Sequence, residues 1–240
     1  MGILDEAEDI HGVPKHLFSV LYGPPGVGKT VALARTANKT LIYAGEKSFV
    51  SLSQFPDITA KSIQSEGWDK LTKLIQELYN DPQDYDHLMI DTVDDLVRRK
   101  LKEQRQKVEF KRGHKDISSL EDYNLLNNHI ADLMARLAML PISVSLISHD
   151  RIPDPQAYGK GDRLLRPSLP FKSFESLNGY ANVVGYMHMR KVKVEGNKTE
   201  LRRVIGVQAN DEYEAKNHLK LAATVTDDIF VETIRAWKGI

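Results

Sequence analysis

Residues 17–30 read LFSVLYGPPGVGKT, an apolar run that passes straight into a glycine-rich loop ending in Lys-Thr. Leu17–Tyr22 has the length and composition of a buried strand, and Lys29–Asn38 fits a helix leaving the loop. The loop satisfies G-x-x-x-x-G-K-[ST] with Gly23, Gly28, Lys29 and Thr30. Glycines let successive backbone N–H groups turn toward a phosphate, and the helix N-terminus adds its partial positive charge. Lys29 can reach the β- and γ-phosphates, and the Thr30 hydroxyl can ligate Mg²⁺. The expected ATP-binding segment is therefore Gly23, Pro24, Pro25, Gly26, Val27, Gly28, Lys29 and Thr30. A chance glycine turn is the competing explanation, and strand, loop and helix in the required order weigh against it.

Outward from the loop, strand and helix signals alternate, which predicts an α/β fold with a mostly parallel sheet flanked by helices. Leu41–Ala44 reads as a short strand followed by Gly45-Glu46. Trp68, Leu71, Leu74, Ile75 and Leu78 recur at helical spacing and predict a helix over 68–79, ended near Asp81-Pro82. Leu88–Ile90 is a short apolar strand ending in Asp91. A second long helix is expected over 120–140, with Ser119 as its cap and Pro141 as its stop. Ile142–Ser148 is another strand, closed by His149-Asp150. Residues 182–194 and 201–208 read as a β-hairpin extension turned at 195–198. With no internal repeat, the organisation expected is one domain over 1–240. Its additions are an N-terminal extension (1–14), a basic insertion (98–118) and a basic loop (150–180).

Thirty-three Lys/Arg and thirty-three Asp/Glu cancel, so net charge names no partner. Distribution is more telling, because residues 98–115 carry nine Lys/Arg against two Glu. The absence of cysteine excludes a disulfide framework and any thiolate metal site. The acidic start, MGILDEAEDI, lacks the basic and apolar regions of a signal peptide, and no run approaches the ~20 apolar residues of a membrane span. The expectation is a cytoplasmic protein with no membrane partner.

A Mg²⁺–ATP site needs a second carboxylate, and Asp91 at the end of HLMID supplies one beside Thr30, unless it merely caps the helix that follows. Hydrolysis needs a group that orients or deprotonates water. The position after Asp91 is Thr92, so Glu46 is the alternative, balanced against a plain solvent-facing glutamate. His149, ending the ISVSLIS strand, is placed to sense the γ-phosphate, unless it is only hydrogen-bonded structure.

The ordered set GPPGVGKT, Gly45-Glu46, HLMIDTVDDL, SLISHD and DEYEAKNH resembles the RecA/KaiC-like P-loop ATPases. It is most similar to phage-encoded RecA-like nucleotide-binding proteins of the single-strand annealing and recombination type, over roughly residues 15–220. The resemblance implies a RecA-like core with ATP and Mg²⁺ as cofactors. It also implies a homo-oligomer, filament or ring, with ATP at subunit interfaces on single-stranded DNA, in the bacterial host cytoplasm. It maps the catalytic glutamate onto Glu46 and the γ-phosphate sensor onto His149. A Lys-x-Arg pair of the family, reaching a neighbour's nucleotide, maps onto Lys216, with His218 standing where the arginine is expected. The second DNA-binding loop maps onto 151–172, with Arg151, Lys160, Arg163, Arg166 and Lys172 as phosphate contacts and Tyr158 and Phe171 as stacking residues. The runner-up is an AAA-type ATPase remodelling a protein or replication complex, which the G-P-P-G wording suggests and Asp91-Thr92 argues against. A nucleotide-gated binding module with little turnover is a third class, and a small-molecule kinase a distant fourth.

Overall fold

The computed structural model describes residues 16–45, 47–112, 120–152, 164–193 and 199–240, with backbone alone at 47–49, 105, 107–112, 120–123, 171 and 193. At its centre is a sheet built from β1 (Phe18–Tyr22), β2 (Thr40–Ala44), β3 (Ala60–Gln64), β4 (His87–Asp91), β5 (Ser143–Ser148), β8 (Val183–Lys193), β9 (Thr199–Gly206) and β11 (Thr224–Thr226). The main path across it runs β11-β9-β8-β1-β5-β4-β2-β3. From β3 through β8 every pairing is parallel, and β9 turns back antiparallel on β8. A short strand at Lys216–Asn217, β10, continues the line of β9 along the start of β8. A separate two-stranded clasp joins Asp150–Arg151 (β6) to Arg166–Pro167 (β7).

Strand alternation divides the core. Phe18, Val20 and Tyr22 of β1 enter one apolar cluster with Leu88, Ile90, Val144 and Leu146. That face is covered by four helices, Trp68–Asn80 (α2), Val93–Arg112 (α3), Leu120–Ala138 (α4) and Phe171–Tyr180 (α5). The predicted stripe Trp68, Leu71, Leu74, Ile75 and Leu78 is buried there, each large side chain stabilising by about 1.5–3 kcal/mol. Leu21, Ile42, Met89 and Ile147 point to the opposite face. There they meet Lys29–Ala34 (α1) and Asp227–Lys238 (α6). The polar members of this face, Ser19, Ser145, His87 and Thr40, join hand to hand across four strands. The Ser19 and Ser145 hydroxyls lie 2.7 Å apart, and the His87 ring spans from Ser145 (2.7 Å) to Thr40 (3.0 Å).

Several expectations change. The helix after the loop is six residues long, not ten, because the chain turns after Ala34 to enter β2. The stretch expected as a basic insertion at 98 is the continuation of α3, whose first turns bury Val93, Leu96 and Val97; residues 113–118 lie outside the described residues. The second half of the 150–180 loop is ordered by apolar anchors, with Leu169, Phe174 and Leu177 buried. Two elements were not anticipated: edge strand β3, with its polar sequence AKSIQ, and the C-terminal helix α6. The turn at 195–198 and the cap Ser119 fall outside the described residues.

Candidate active site

Register sets the site. Ala44 pairs with Asp91, Asp91 with Ile147, and Tyr22 with both Ser148 and Tyr186, so these residues share one rim of the sheet. The chain leaving each strand there enters a single cleft, as expected where strand order reverses in an open α/β sheet. This cleft of about 590 Å³ is lined by Gly28, Lys29 and Thr30 from the loop, Gly45, Asp91 and Thr92, Asp94 and Asp95 from α3, His149, and Arg203 from β9.

The loop needs its glycines for separate reasons. At Gly23 (φ +149°) a side chain would collide with the Met187 carbonyl. Gly28, at φ +104°, is the cap of α1, and a Cβ there would lie 2.8 Å from Arg203 Nη1. Both φ values are ones that L side chains rarely adopt. Val27 is buried and ties the loop to the α1 face, while Pro25 and Gly26 are exposed. The first turn of α1 carries no acid, which leaves its partial positive charge for an anion.

Lys29 is only 6% exposed, and its ammonium donates to the Gly23 and Pro24 carbonyls, both at 2.8 Å. Burial lowers its pKa, and the carboxylates of Asp91, Asp150 and Asp94 oppose that shift. The Thr30 hydroxyl donates to Asp91 Oδ2 at 2.9 Å. The two groups expected to hold Mg²⁺ thus face each other across the gap between α1 and β4, and hard oxygen donors of this kind suit that cation.

His149 stands where β5 ends. Its Nδ1–H donates to Asp94 Oδ2 at 3.0 Å, and its backbone N–H donates to the other oxygen of the same carboxylate at 3.2 Å. This double grip fixes the tautomer of the neutral ring, leaving Nε2 as the acceptor. Asp95 holds Arg98 (2.5 Å) and Arg99 (2.7 Å), so two cations of the basic run serve the cleft wall. Arg203 enters from the other side, its Nε 2.9 Å from Asp227 Oδ2.

Other expected site residues lie elsewhere. Glu46 lies outside the described residues, as do Lys160, Arg163 and Tyr158, and the Phe171 side chain is not described. Arg151 and Lys172 are exposed. Arg166, expected as a DNA contact, is buried and donates to Glu214 Oε1 at 3.1 Å; a cation used inside the fold does not reach an external phosphate. Lys216, expected as a finger for a neighbouring subunit, donates to the Asn178 (2.6 Å) and Gly179 (3.5 Å) carbonyls at the end of α5. In its own chain it caps a helix, and burial lowers its pKa. His218 is exposed and carries a backbone bond to Asn182 O.

Arg203 was missed. No local pattern marks it: it is one of two adjacent arginines in a β segment, and only the β8–β9 pairing sets it over the loop. The grip of Asp94 on His149 was equally invisible, because the two are far apart in sequence, although Asp94 follows Asp91 by one helical turn.

The family profile described as "AAA domain" matches residues 16–219. No curated protein sequence matches the chain. Among solved structures, the ATPase domain of a helicase superposes with a TM-score of 0.40 at 13% identity, covering 84% of each chain. No helix among the described residues is long and apolar enough to cross a membrane.

Proposed function

The chain belongs to the AAA-domain family, and from that premise we propose that its cleft binds Mg²⁺–ATP and hydrolyses it while subunits assemble on single-stranded DNA. The observation that carries the nucleotide reading is the 2.9 Å contact between Thr30 and Asp91, the loop hydroxyl and the strand-end carboxylate. Bound there, Mg²⁺ supplies charge neutralisation at the β- and γ-oxygens. Lys29 exchanges its two loop carbonyls for phosphate oxygens, which fits a side chain already held within the loop's curve.

Glu46 is the proposed base, following Gly45 on the cleft rim. His149, oriented by Asp94, presents Nε2 to the terminal phosphate or to the attacking water. Arg151, Lys160, Arg163 and Lys172 form the proposed contact with single-stranded DNA, where Lys/Arg neutralise phosphates and release counterions. The β6–β7 clasp supports coupling, since it joins both ends of that segment directly to His149. The setting, phage recombination, annealing or replication, follows from the motif resemblance. So does ATP placed between subunits.

The test is the ATPase rate with and without single-stranded DNA across a salt series, with the same samples imaged for oligomers. Stimulation by DNA that falls with salt supports the full reading. Turnover that ignores DNA at every salt concentration removes the DNA half and leaves an ATPase.

A further inference from the structure

The structure assigns Arg203 as a polyphosphate-binding residue acting in cis, aimed into the nucleotide cleft by Asp227 of the C-terminal helix. The inference rests on the nucleotide reading above and extends it to a residue that neither the motifs nor the family match single out.

Arg203 sits on β9, and its Nη1 lies 2.8 Å from the point where a side chain on Gly28 would begin. Gly28 is the loop residue immediately before Lys29 and Thr30, so the guanidinium stands over the stretch that cradles phosphate. The orientation is built in. Asp227 is largely buried, and its carboxylate holds the Nε edge of Arg203 at 2.9 Å. An arginine held by that edge turns its two terminal nitrogens outward as a planar fork, the geometry that matches phosphate oxygens.

The holder is itself anchored to the loop helix. Arg235 of α6 donates to the Arg35 and Ala37 carbonyls just beyond α1, both at 3.2 Å, and Lys238 donates to Thr36 O at 3.0 Å. Asp228 pairs with Arg35 at 2.9 Å. The helix carrying Asp227 is thus tied to the segment that follows α1, and Arg203 keeps its station relative to Lys29. Lys216, by contrast, is engaged at α5. Three carboxylates, Asp91, Asp94 and Asp95, line the same cleft, and an anionic polyphosphate entering beside them needs cations on the facing wall. Arg203 supplies one from the wall opposite α3.

The experiment measures binding of a fluorescent ATP analogue and of ADP, both with Mg²⁺, as a function of salt and well below the apo melting temperature. Removing Arg203 alone would strand the buried Asp227, so the informative variant is R203Q/D227N, which removes both charges and retains the shapes. It should melt near the parent without nucleotide, yet bind about 10- to 100-fold more weakly with a shallower salt dependence. Arg203→Lys, which keeps the cation, should recover most of the lost affinity. Mixing R203Q/D227N with Lys29→Ala should give no recovery of turnover, because both groups serve one nucleotide in one chain.

Parental affinity and salt slope in the double variant would overturn the assignment and leave the Arg203–Asp227 pair as structure alone. Rescue in the mixture would overturn its cis character. Failure of the parent itself to bind either nucleotide would remove the nucleotide reading, a result distinct from both.

Discussion

Arg166→Met separates a structural cation from a DNA contact. The Arg166 guanidinium lies 3.1 Å from Glu214 Oε1, and the two side chains are 10% and 28% exposed. At that distance the attraction is about 5 kcal/mol with an effective dielectric near 20, and the desolvation of both ions offsets much of it. Truncating one partner is costly for a different reason, since it leaves Glu214 largely buried and without this countercharge. Fully buried pairs lose about 3–5 kcal/mol in that way. Partial exposure of Glu214 brings the expectation to about 2–3 kcal/mol, discounted for solvent screening. For a chain of this size that corresponds to a fall of roughly 4–12 °C in melting temperature. Thermal melts of Arg166→Met, Glu214→Gln and the double variant form a cycle in which the double should recover most of the loss. An Arg166→Met protein that melts within about 1 °C of the parent while losing affinity for single-stranded DNA would refute the argument and return Arg166 to the DNA surface.

Four further outcomes follow. Lys29→Ala should weaken nucleotide binding or turnover severely, and unchanged affinity and rate together would detach the loop from the chemistry. Asp94→Asn should leave Mg²⁺–ATP affinity nearly intact but lower turnover about 10- to 100-fold by releasing His149 from its tautomer; equal losses in affinity and rate would make Asp94 a binding group instead. Lys216→Met should cost about 0.3–1 kcal/mol by uncapping α5, with no complementation by Lys29→Ala; complementation would restore its role toward a neighbour. His87 carries a pH signature. Burial, then the nearby charge of Lys238, lowers its pKa to about 3, so the unfolded chain takes up a proton near pH 6.5 that the native state refuses. Its contribution is complete above that pH and is lost toward pH 3 at about 1.4 kcal/mol per unit, and a His87→Gln variant with the parental slope between pH 6 and 5 would disprove it.

What could be read in advance depended on how local each signal was. The cradle, Asp91 and the buried strands all announce themselves within a few residues, and the alternation of strand and helix was enough for the sheet. Helix α6 was equally legible and was overlooked: Thr226 caps it, Asp227 and Asp228 open it, Phe230, Val231 and Ile234 recur on one face, and Gly239 closes it at φ +80°. Arg166 was misread because basic residues between prolines and glycines look like a surface loop. Its partner Glu214 is brought to it only by the pairing of Leu165 with Tyr213. Arg203 belongs to the same class, since its neighbours at Gly28 and Asp227 come from distant parts of the chain.

The clasp of β6 and β7 bears on how this protein could be re-engineered. Arg151 and Arg166 are paired directly, and the Ser168 N–H binds the His149 carbonyl at 2.8 Å. Residues 152–165 therefore start and finish at one point on the scaffold, in the manner of a cassette plugged into a two-pin socket. A closed segment of that kind can be swapped or lengthened at modest cost, about 0.6 kcal/mol for each doubling of its length. Its partner preference becomes a property of the insert, while the station of His149 stays with the socket. Grafting a foreign segment between Arg151 and Arg166 should accordingly change what the protein grips and leave its basal nucleotide turnover as it was.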